Sequence, residues 1–398
     1  MIAASSPVLG ESERQAMHAA IDRGWLTAGP CNGEFERRLA AYTGIPHVST
    51  CNSGSSANLL AVSAMVSSGL WPVGSEIITP AAGFPTTVNP LLLHGLVPVF
   101  VDVDLETLQI SPDAVEAAVT DRTSGLMFAH TLGNVANLAR LYEAVGDDVS
   151  VVEDCCDALG STYRGAHVGS VLARIATCSF FPAHHITTGE GGAVFTRDAS
   201  LLSQLESLCS WGRSCWCAPG QNNSCGKRFC QQFGDLPFGY DHKYVFTHLG
   251  FNLKMIEIAA ACGVAQMDRL GGFVDARRRN FEQMSALLAP LADRVVLPRA
   301  GAHAEPSWFG FPLVLRESGL RAGLQQYLSE RGVDSRLVFG GNLTRQPYMR
   351  GRAFRIEGSL DVSDKVMNDG LWLGLWPGLT EDQITYQCEQ VSTYLGEF

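Results

Sequence analysis

Ser179-Phe180-Phe181-Pro182-Ala183-His184-His185-Ile186-Thr187-Thr188-Gly189-Glu190-Gly191-Gly192 places two histidines on a short turn. The apolar segment Ile175 to Phe181 leads into the turn, and the glycine-rich Gly189 to Gly192 leads out of it. Turns of this composition hold phosphorylated cofactors in α/β enzymes, because glycine lets backbone N–H groups come close to an anion. Solvated or hydrogen-bonded histidines on an ordinary loop account for the same residues, so the surrounding stretches decide.

Upstream, Pro46-His47-Val48-Ser49-Thr50 reads as a strand, and Asn52 to Asn58 opens a helix running to about Ser68. A strand, a Gly/Ser turn and a helix N-terminus together make an anion site, although an ordinary N-cap has the same look. Glu76 to Pro80 and Val97 to Asp102 are short β-rich runs flanking a helix near Phe84 to Leu93, and Gly125 to His130 and Val149 to Asp154 are further buried-strand candidates. Such strand-helix-strand units predict an α/β fold whose mostly parallel sheet binds ligands at its C-terminal strand ends. Asp154 closes one strand, and a carboxylate there costs desolvation energy unless a cation pairs with it. Phe84 lies just past another strand end, placed either for stacking on a planar ring or for the core.

Two amphipathic helices over residues 10 to 42 precede this region, around a turn at 24 to 30. After it, an arginine-rich helix from about Gln266, strands at Phe311 to Arg316 and Ser335 to Phe339, and a helix at Leu320 to Arg331 suggest a smaller α+β unit. The expected division is a large domain at 1–265 and a small C-terminal domain at 266–398. Arg336 and Arg345 suit a nucleotide's phosphates, and equally a solvated surface.

The chain has 398 residues, 46% of them hydrophobic, and a formal charge of −11. That charge argues against nucleic acid or an anionic membrane as main partner. No apolar run reaches the roughly 18 to 20 residues of a membrane span, and Met1 to Pro7 has no signal-peptide pattern. The expected location is the cytoplasm. There the 12 cysteines are not a disulfide scaffold, and a clustered subset points to metal or redox work. The cluster is the turn-rich loop Ser214 to Cys230, within about 210–245, with Cys215-x-Cys217-x7-Cys225 and the turn signals Ala218-Pro219-Gly220 and Gln221 to Ser224. Thiolates of this kind suit zinc or a [2Fe-2S] cluster; the usual zinc pair has two residues between its cysteines where this one has one, and the ligand chemistry alone favours neither.

In this order, the strand-turn phosphate site, Phe84, Asp154 and the Ser179-Phe180-Phe181-Pro182 loop resemble the nucleotide-sugar aminotransferase branch of the fold-type I pyridoxal-phosphate enzymes, the DegT/DnrJ/EryC1/StrS family. The resemblance implies an aspartate aminotransferase-like fold. It implies that Asp154 pairs with the cofactor's pyridine nitrogen, that Phe84 stacks on its ring, and that Gly54, Ser55 and Ser179 hold its phosphate. Asp157 joins this cofactor-binding set, and Asn252 reaches the phosphate across a homodimer interface. Where the aminotransferases carry the Schiff-base lysine, this chain has His184. Imidazole cannot make that covalent link, so the cofactor is expected as non-covalent pyridoxamine 5'-phosphate, with His184 suited to move protons near neutral pH.

His184, Cys156, Cys215, Cys217 and Cys225, with Leu236-Pro237-Phe238-Gly239-Tyr240-Asp241-His242-Lys243-Tyr244, further resemble the 3-dehydrases of 4-keto-6-deoxyhexose nucleotides, best known on a CDP sugar. The likeness continues through Trp308 to Pro312, Gly341 to Tyr348 and Trp376 to Thr380. It implies His184 as the base, a [2Fe-2S] cluster on Cys156, Cys215, Cys217 and Cys225, and removal of the C3 hydroxyl. It also implies one-electron supply from an NAD(P)H-dependent flavin and iron-sulfur reductase or a ferredoxin-type donor. Cys156 is preferred to Cys155 because the family ligand precedes Asp-Ala-Leu-Gly, with Cys230 in reserve. The alternatives are a cluster-free or zinc-containing dehydratase or aminotransferase, and a dTDP- or GDP-linked rather than CDP-linked sugar. Family members often begin with a longer N-terminal arm than this chain has.

Overall fold

The computed structural model describes residues 1–215, 217 and 223–396. Helices α1 (Glu11–Asp22) and α2 (Pro30–Thr43) lead into strand β1 (His47–Cys51) and helix α3 (Gly54–Ser67). Then follow β2 (Glu76–Pro80), α4 (Pro85–Leu93), β3 (Val97–Val101), β4 (Thr123–Ala129), β5 (Ser150–Asp154), β6 (Ile175–Ser179) and β7 (Gly192–Thr196). With β11 (Arg355–Ile356) these strands form an eight-stranded sheet in the order β1-β7-β6-β5-β4-β2-β3-β11. The β2, β3, β4, β5 and β6 neighbours and the β3–β11 pair run parallel, and β7 runs antiparallel to β6 and β1.

Burial runs along both faces of these strands because both faces are covered. Ile78, Leu126, Phe128, Val151 and Ala176 enter one core with Phe35, Leu39, Leu138 and Val274. Their chain neighbours Ile77, Met127, Val152 and Ile175 enter another with Leu60, Ala61 and Leu205. The strand period of two therefore sorts each pair onto opposite faces.

A second, four-stranded antiparallel sheet has the order β8 (Val295–Val296), β9 (Gly310–Leu315), β12 (Gly370–Gly374), β10 (Ser335–Leu337). Its core includes Leu313, Leu324, Leu373, Ile384 and Val391. The long helix α6 (Leu270–Leu288), which follows α5 (Glu257–Met267), belongs to both cores: Leu270, Phe273 and Val274 lie in the first, Met284 and Leu288 in the second. Two further crossings tie the parts together. Ile2 packs in the second core and bridges to Val333, and β11 extends the large sheet from far along the chain. Asp102, just past β3, accepts hydrogen bonds from the backbone of Val362 (2.9 Å) and Ser363 (2.8 Å) and so caps the helix Asp361–Asp369. Among the described residues no helix is long and apolar enough to cross a membrane.

Candidate active site

The C-terminal ends of β1, β5 and β6 and the start of β7 come together on one edge of the large sheet, with Cys51 and Ser179 both in register with Gly192. Asp154 ends β5 and is 5% exposed. Its Oδ2 accepts hydrogen bonds from Asn58 Nδ2 (2.7 Å) and Thr87 Oγ1 (2.8 Å), and its Oδ1 from the Cys156 N–H (3.1 Å). Among the described residues no Lys, Arg or His forms an ion pair with it, in contrast to the buried Glu153 beside His130. Neutral donors leave most of the cost of burying a carboxylate unmet, so this position fits a cationic nitrogen supplied by a ligand. Asn58 and Thr87 carry no expected role from the sequence. The legible signal for Asn58 is a lone amide inside the apolar helix α3, which Thr177 Oγ1 also engages at 2.7 Å.

Beside Asp154 lies an anion cradle. Ser53 caps α3, its Oγ accepting from the Ser56 N–H at 3.0 Å, and the first N–H groups of this 14-residue helix have no intrahelical acceptor. Ser55 is exposed and Gly54 buried. A Cβ on Gly54 would stand 2.4 Å from Ser179 Cβ, 2.8 Å from Ser179 Oγ and 3.0 Å from Cys156 Sγ. A Cβ on Gly192 would meet the Ser53 carbonyl oxygen at 2.4 Å. These glycines are dictated by close approach, which brings the Ser179 hydroxyl to the helix start. A phosphate fits there.

His184 stands on the far side of Asp157. Its Nδ1 is 3.5 Å from Asp157 Oδ1, with side-chain exposures of 14% and 13%, too long for a well-formed hydrogen bond. Burial, and after it the positive Arg277, pushes the imidazole down to about 3. Burial, and after it the charge of Asp154, raises Asp157 to about 7. His184 is therefore neutral at physiological pH and able to accept a proton. Its ring packs at 5.2 Å from that of Phe309. His185 turns into the protein, its Nε2 against the Ser307 carbonyl oxygen, and Glu190 is exposed.

Arg277, which the sequence marks only as part of an arginine-rich helix, holds this loop. It lies midway along α6, 1% exposed, and its guanidinium donates to the carbonyls of Trp308 (3.1 Å), Phe309 (3.0 Å), Ala183 (3.5 Å) and His184 (3.4 Å). The chain's lysines are Lys227, Lys243, Lys254 and Lys365, so none precedes the cysteine loop or belongs to any strand-end loop of the large sheet. Lys254 Nζ bonds Asn252 Oδ1 at 2.6 Å and sits over the Trp211 ring, while Lys365 pairs with Asp369.

Phe84 opens α4, half exposed, with its ring edge-on to Phe339 at 6.0 Å. Asn252 is exposed, in a β-bridge with Ser210. Arg336 and Arg345 are already paired with Asp334 (2.6 Å) and Asp364 (2.7 Å).

In the cysteine loop, the expected turn at 218 to 222 lies outside the described residues. Cys215, Cys217 and Cys225 come together: Cys217 Sγ is 3.6 Å from Cys225 Sγ, and all three face His242 Nε2 at 3.6, 4.0 and 3.6 Å respectively. Hydrogen bonding, led by Ser224, lowers Cys217 to about 6. Cys156 is not in this group. Its Sγ lies against Gly54, and burial, then Asp154, pushes its thiol well above the usual range. Cys155 is buried near His130 and Glu153, and Cys230 is exposed. Among the described residues, Cys215 Sγ, Cys217 Sγ and His242 Nε2 lie within 4.8 Å of one another, a donor group that suits a metal ion, while Cys156 Sγ lies at the start of α3.

A model of the DegT/DnrJ/EryC1/StrS aminotransferase family matches residues 7–392. The lipopolysaccharide biosynthesis protein RfbH of Salmonella typhimurium is 48% identical, over 98% of this chain and 91% of its own. The dTDP-4-dehydro-2,6-dideoxy-D-glucose 3-dehydratase of Saccharopolyspora spinosa is 44% identical, over 99% and 86%. Among solved structures, the E. coli GDP-4-keto-6-deoxy-D-mannose-3-dehydratase with bound hydrated PLP superposes with a TM-score of 0.88 at 26% identity, covering 98% of this chain and 99% of that one.

Proposed function

Because this chain belongs to the DegT/DnrJ/EryC1/StrS aminotransferase family, we propose that it removes the C3 hydroxyl of a nucleotide-linked 4-keto-6-deoxyhexose, using pyridoxamine 5'-phosphate, to give a 3-deoxy sugar. The observation that carries this reading is His184, neutral and largely buried beside Asp157 on a strand-end loop without a lysine. A lysine-free loop cannot tether the cofactor aldehyde, and a neutral imidazole supplies a base. Both favour dehydration over amino transfer.

When bound, the cofactor would supply an amine for the C4 ketone and a ring that accepts electrons. Asp154, fixed by Asn58 and Thr87, holds the ring nitrogen in its protonated form. Gly54, Ser55 and Ser179 bind the phosphate through backbone and hydroxyl donors, and Phe84 covers the ring. His184 moves the proton at Nε2, because Nδ1 is buried toward Asp157. Arg277 fixes the loop backbone on either side of that histidine. Similarity to a PLP-bound 3-dehydratase structure supports the cofactor assignment.

Deoxygenation consumes two electrons and two protons and releases water. Cys215, Cys217 and Cys225 of the thiol-rich loop are proposed to hold a [2Fe-2S] centre, which would supply electrons one at a time, with an NAD(P)H-dependent flavin and iron-sulfur reductase or a ferredoxin-type protein as the proposed donor. A homodimer with Asn252 reaching the partner's phosphate completes the reading. CDP is the proposed nucleotide. The test is incubation of the chain with pyridoxamine phosphate, an electron donor and CDP-, dTDP- or GDP-linked 4-keto-6-deoxyhexoses, with products read by mass spectrometry. A 3-deoxy product is expected, and an amino sugar formed with glutamate as donor would overturn the proposal.

A further inference from the structure

The thiols of the loop and the thiol at the cradle are held apart within one chain. Cys217 Sγ and Cys225 Sγ stand 3.6 Å apart, and Cys215 Sγ lies within 4.8 Å of Cys217 Sγ. Thiolates bound at about 2.3 Å to one tetrahedral metal atom stand roughly 3.8 Å apart, so Cys217 and Cys225 suit a single iron. A two-iron cluster takes four thiolates, two on each iron, which leaves Cys215 one partner short. Among the described residues Cys156 joins no group of metal donors. Its Sγ lies 3.0 Å from where a Cβ on Gly54 would stand, and the residue is partly exposed.

The loop is rooted beside that cradle. Antiparallel bridges join Ser210 to Asn252 and Arg213 to Phe246, and the Leu253 carbonyl accepts from the N–H of Asn52, just before Gly54, at 2.8 Å. Beyond this root the loop carries apolar side chains that nothing in the chain covers. Phe229, Phe238, Tyr244, Phe246 and Leu249 are all more than half exposed, Leu249 at 97%. Apolar exposure on this scale marks a surface that another protein covers. Root and cradle share one face, and in a two-fold contact the patch that one copy presents is also the patch it receives. A two-fold axis through this face sets each loop against the cradle of the other copy. A second copy of this chain thus offers the loop both a cover and a thiol.

We infer that the cluster site is completed across the dimer: Cys215, Cys217 and Cys225 of one protomer close on the partner's Cys156, so that a homodimer holds two sites and a lone chain none. The inference rests on the [2Fe-2S] and homodimer readings above, and its test reads iron rather than turnover. The fourth thiol also links the loop to the cofactor site, since Asp154 Oδ1 accepts from the Cys156 N–H at 3.1 Å.

Two differently tagged chains, one Cys156→Ser and the other Cys215→Ser, are co-expressed, and the mixed dimer is purified through both tags. It is reconstituted anaerobically with ferrous iron and sulfide beside the wild-type dimer and the two single-variant dimers. Iron, acid-labile sulfide and visible absorption are measured, with light scattering and pyridoxamine phosphate binding as checks on assembly and fold. A second mixed dimer with Cys217→Ser in place of Cys215→Ser guards against one variant that misfolds. If the site spans the interface, one site of two in the mixed dimer keeps all four thiols. It should then hold about half the wild-type iron and sulfide, while each single-variant dimer holds neither. If the site lies within one chain, both sites are broken, and mixed dimers as empty as the single variants would overturn the inference. So would a wild-type monomer with a full complement of iron, or a Cys156→Ser dimer that keeps its cluster. A wild-type dimer that takes up neither iron nor sulfide would sink the cluster reading itself, and the inference with it.

Discussion

At the scale of single residues, a largely buried neutral histidine and a largely buried carboxyl lie side by side and divide the proton chemistry of the site. His184 is held down to about 3 and Asp157 up to about 7, burial being the leading cause for both. Replacing the base tests the first half: His184→Asn should slow exchange of the cofactor's C4′ proton by about 10²–10⁴-fold. Pyridoxamine phosphate affinity, read by fluorescence titration, should change little. The second half is a statement about stability. A carboxyl whose folded-state pKa is raised binds protons more tightly in the folded chain, so its contribution is favourable at low pH and is lost as pH rises toward 7. Asp157→Asn should therefore stabilise the cofactor-free chain above pH 7, by on the order of 2–4 kcal/mol, and the gain should vanish below about pH 4. Urea denaturation at pH 8 and pH 4 measures it, and an equal effect at both would show that Asp157 is not the titrating group. His184 was legible in the sequence because it interrupts a recognisable loop. Asn58, Thr87 and Arg277 were not, since their meaning lies in partners 96, 67 and 31 residues away.

At the scale of elements, the cradle depends on how closely α3 and β6 approach. Gly54 lies where a methyl group would meet Ser179 Cβ at 2.4 Å, and Ser179 ends a strand paired on both sides, so the strand cannot yield. Gly54→Ala should push the helix start away from the Ser179 hydroxyl. Phosphate-dependent affinity for pyridoxamine phosphate should then fall about tenfold or more, roughly 1.4 kcal/mol, by equilibrium dialysis. Pyridoxamine without phosphate should bind both proteins alike. Strands β1 to β5, β9 and β10 were readable from their β-rich runs and fall within a residue or two of expectation, whereas β7, β8, β11 and β12 were not expected. The antiparallel turn of β7 and the joining of β11 to the far edge of the large sheet were not readable, because register with a distant strand leaves no local pattern.

At the scale of the whole molecule, one helix spans two cores, and the site lies where it crosses. The expected boundary near residue 266 falls just before α6, whose first half packs in the large core and whose second half packs in the small one. Composition could place a helix there but could not say that it belongs to both units. Arg277 occupies the crossing. Its guanidinium joins the Trp308 and Phe309 carbonyls of the C-terminal part to the Ala183 and His184 carbonyls of the catalytic loop. Burial lowers its pKa to about 9, against the opposing charge of Asp157, which still leaves it charged at neutral pH. Arg277→Met removes the charge and leaves the buried Trp308 and Phe309 carbonyls short of a donor, each loss costing about 1–3 kcal/mol. The variant should lose about 3 kcal/mol of stability in urea denaturation. Because the same guanidinium fixes the backbone of His184, proton exchange should also fall under conditions where the chain remains folded. Arg277→Lys distinguishes the two effects: an ammonium restores charge but cannot reach four carbonyls in a planar fork, so it should recover part of the stability and little of the exchange rate. Full recovery of both by lysine would mean that the charge alone matters and that the fork geometry does not position His184.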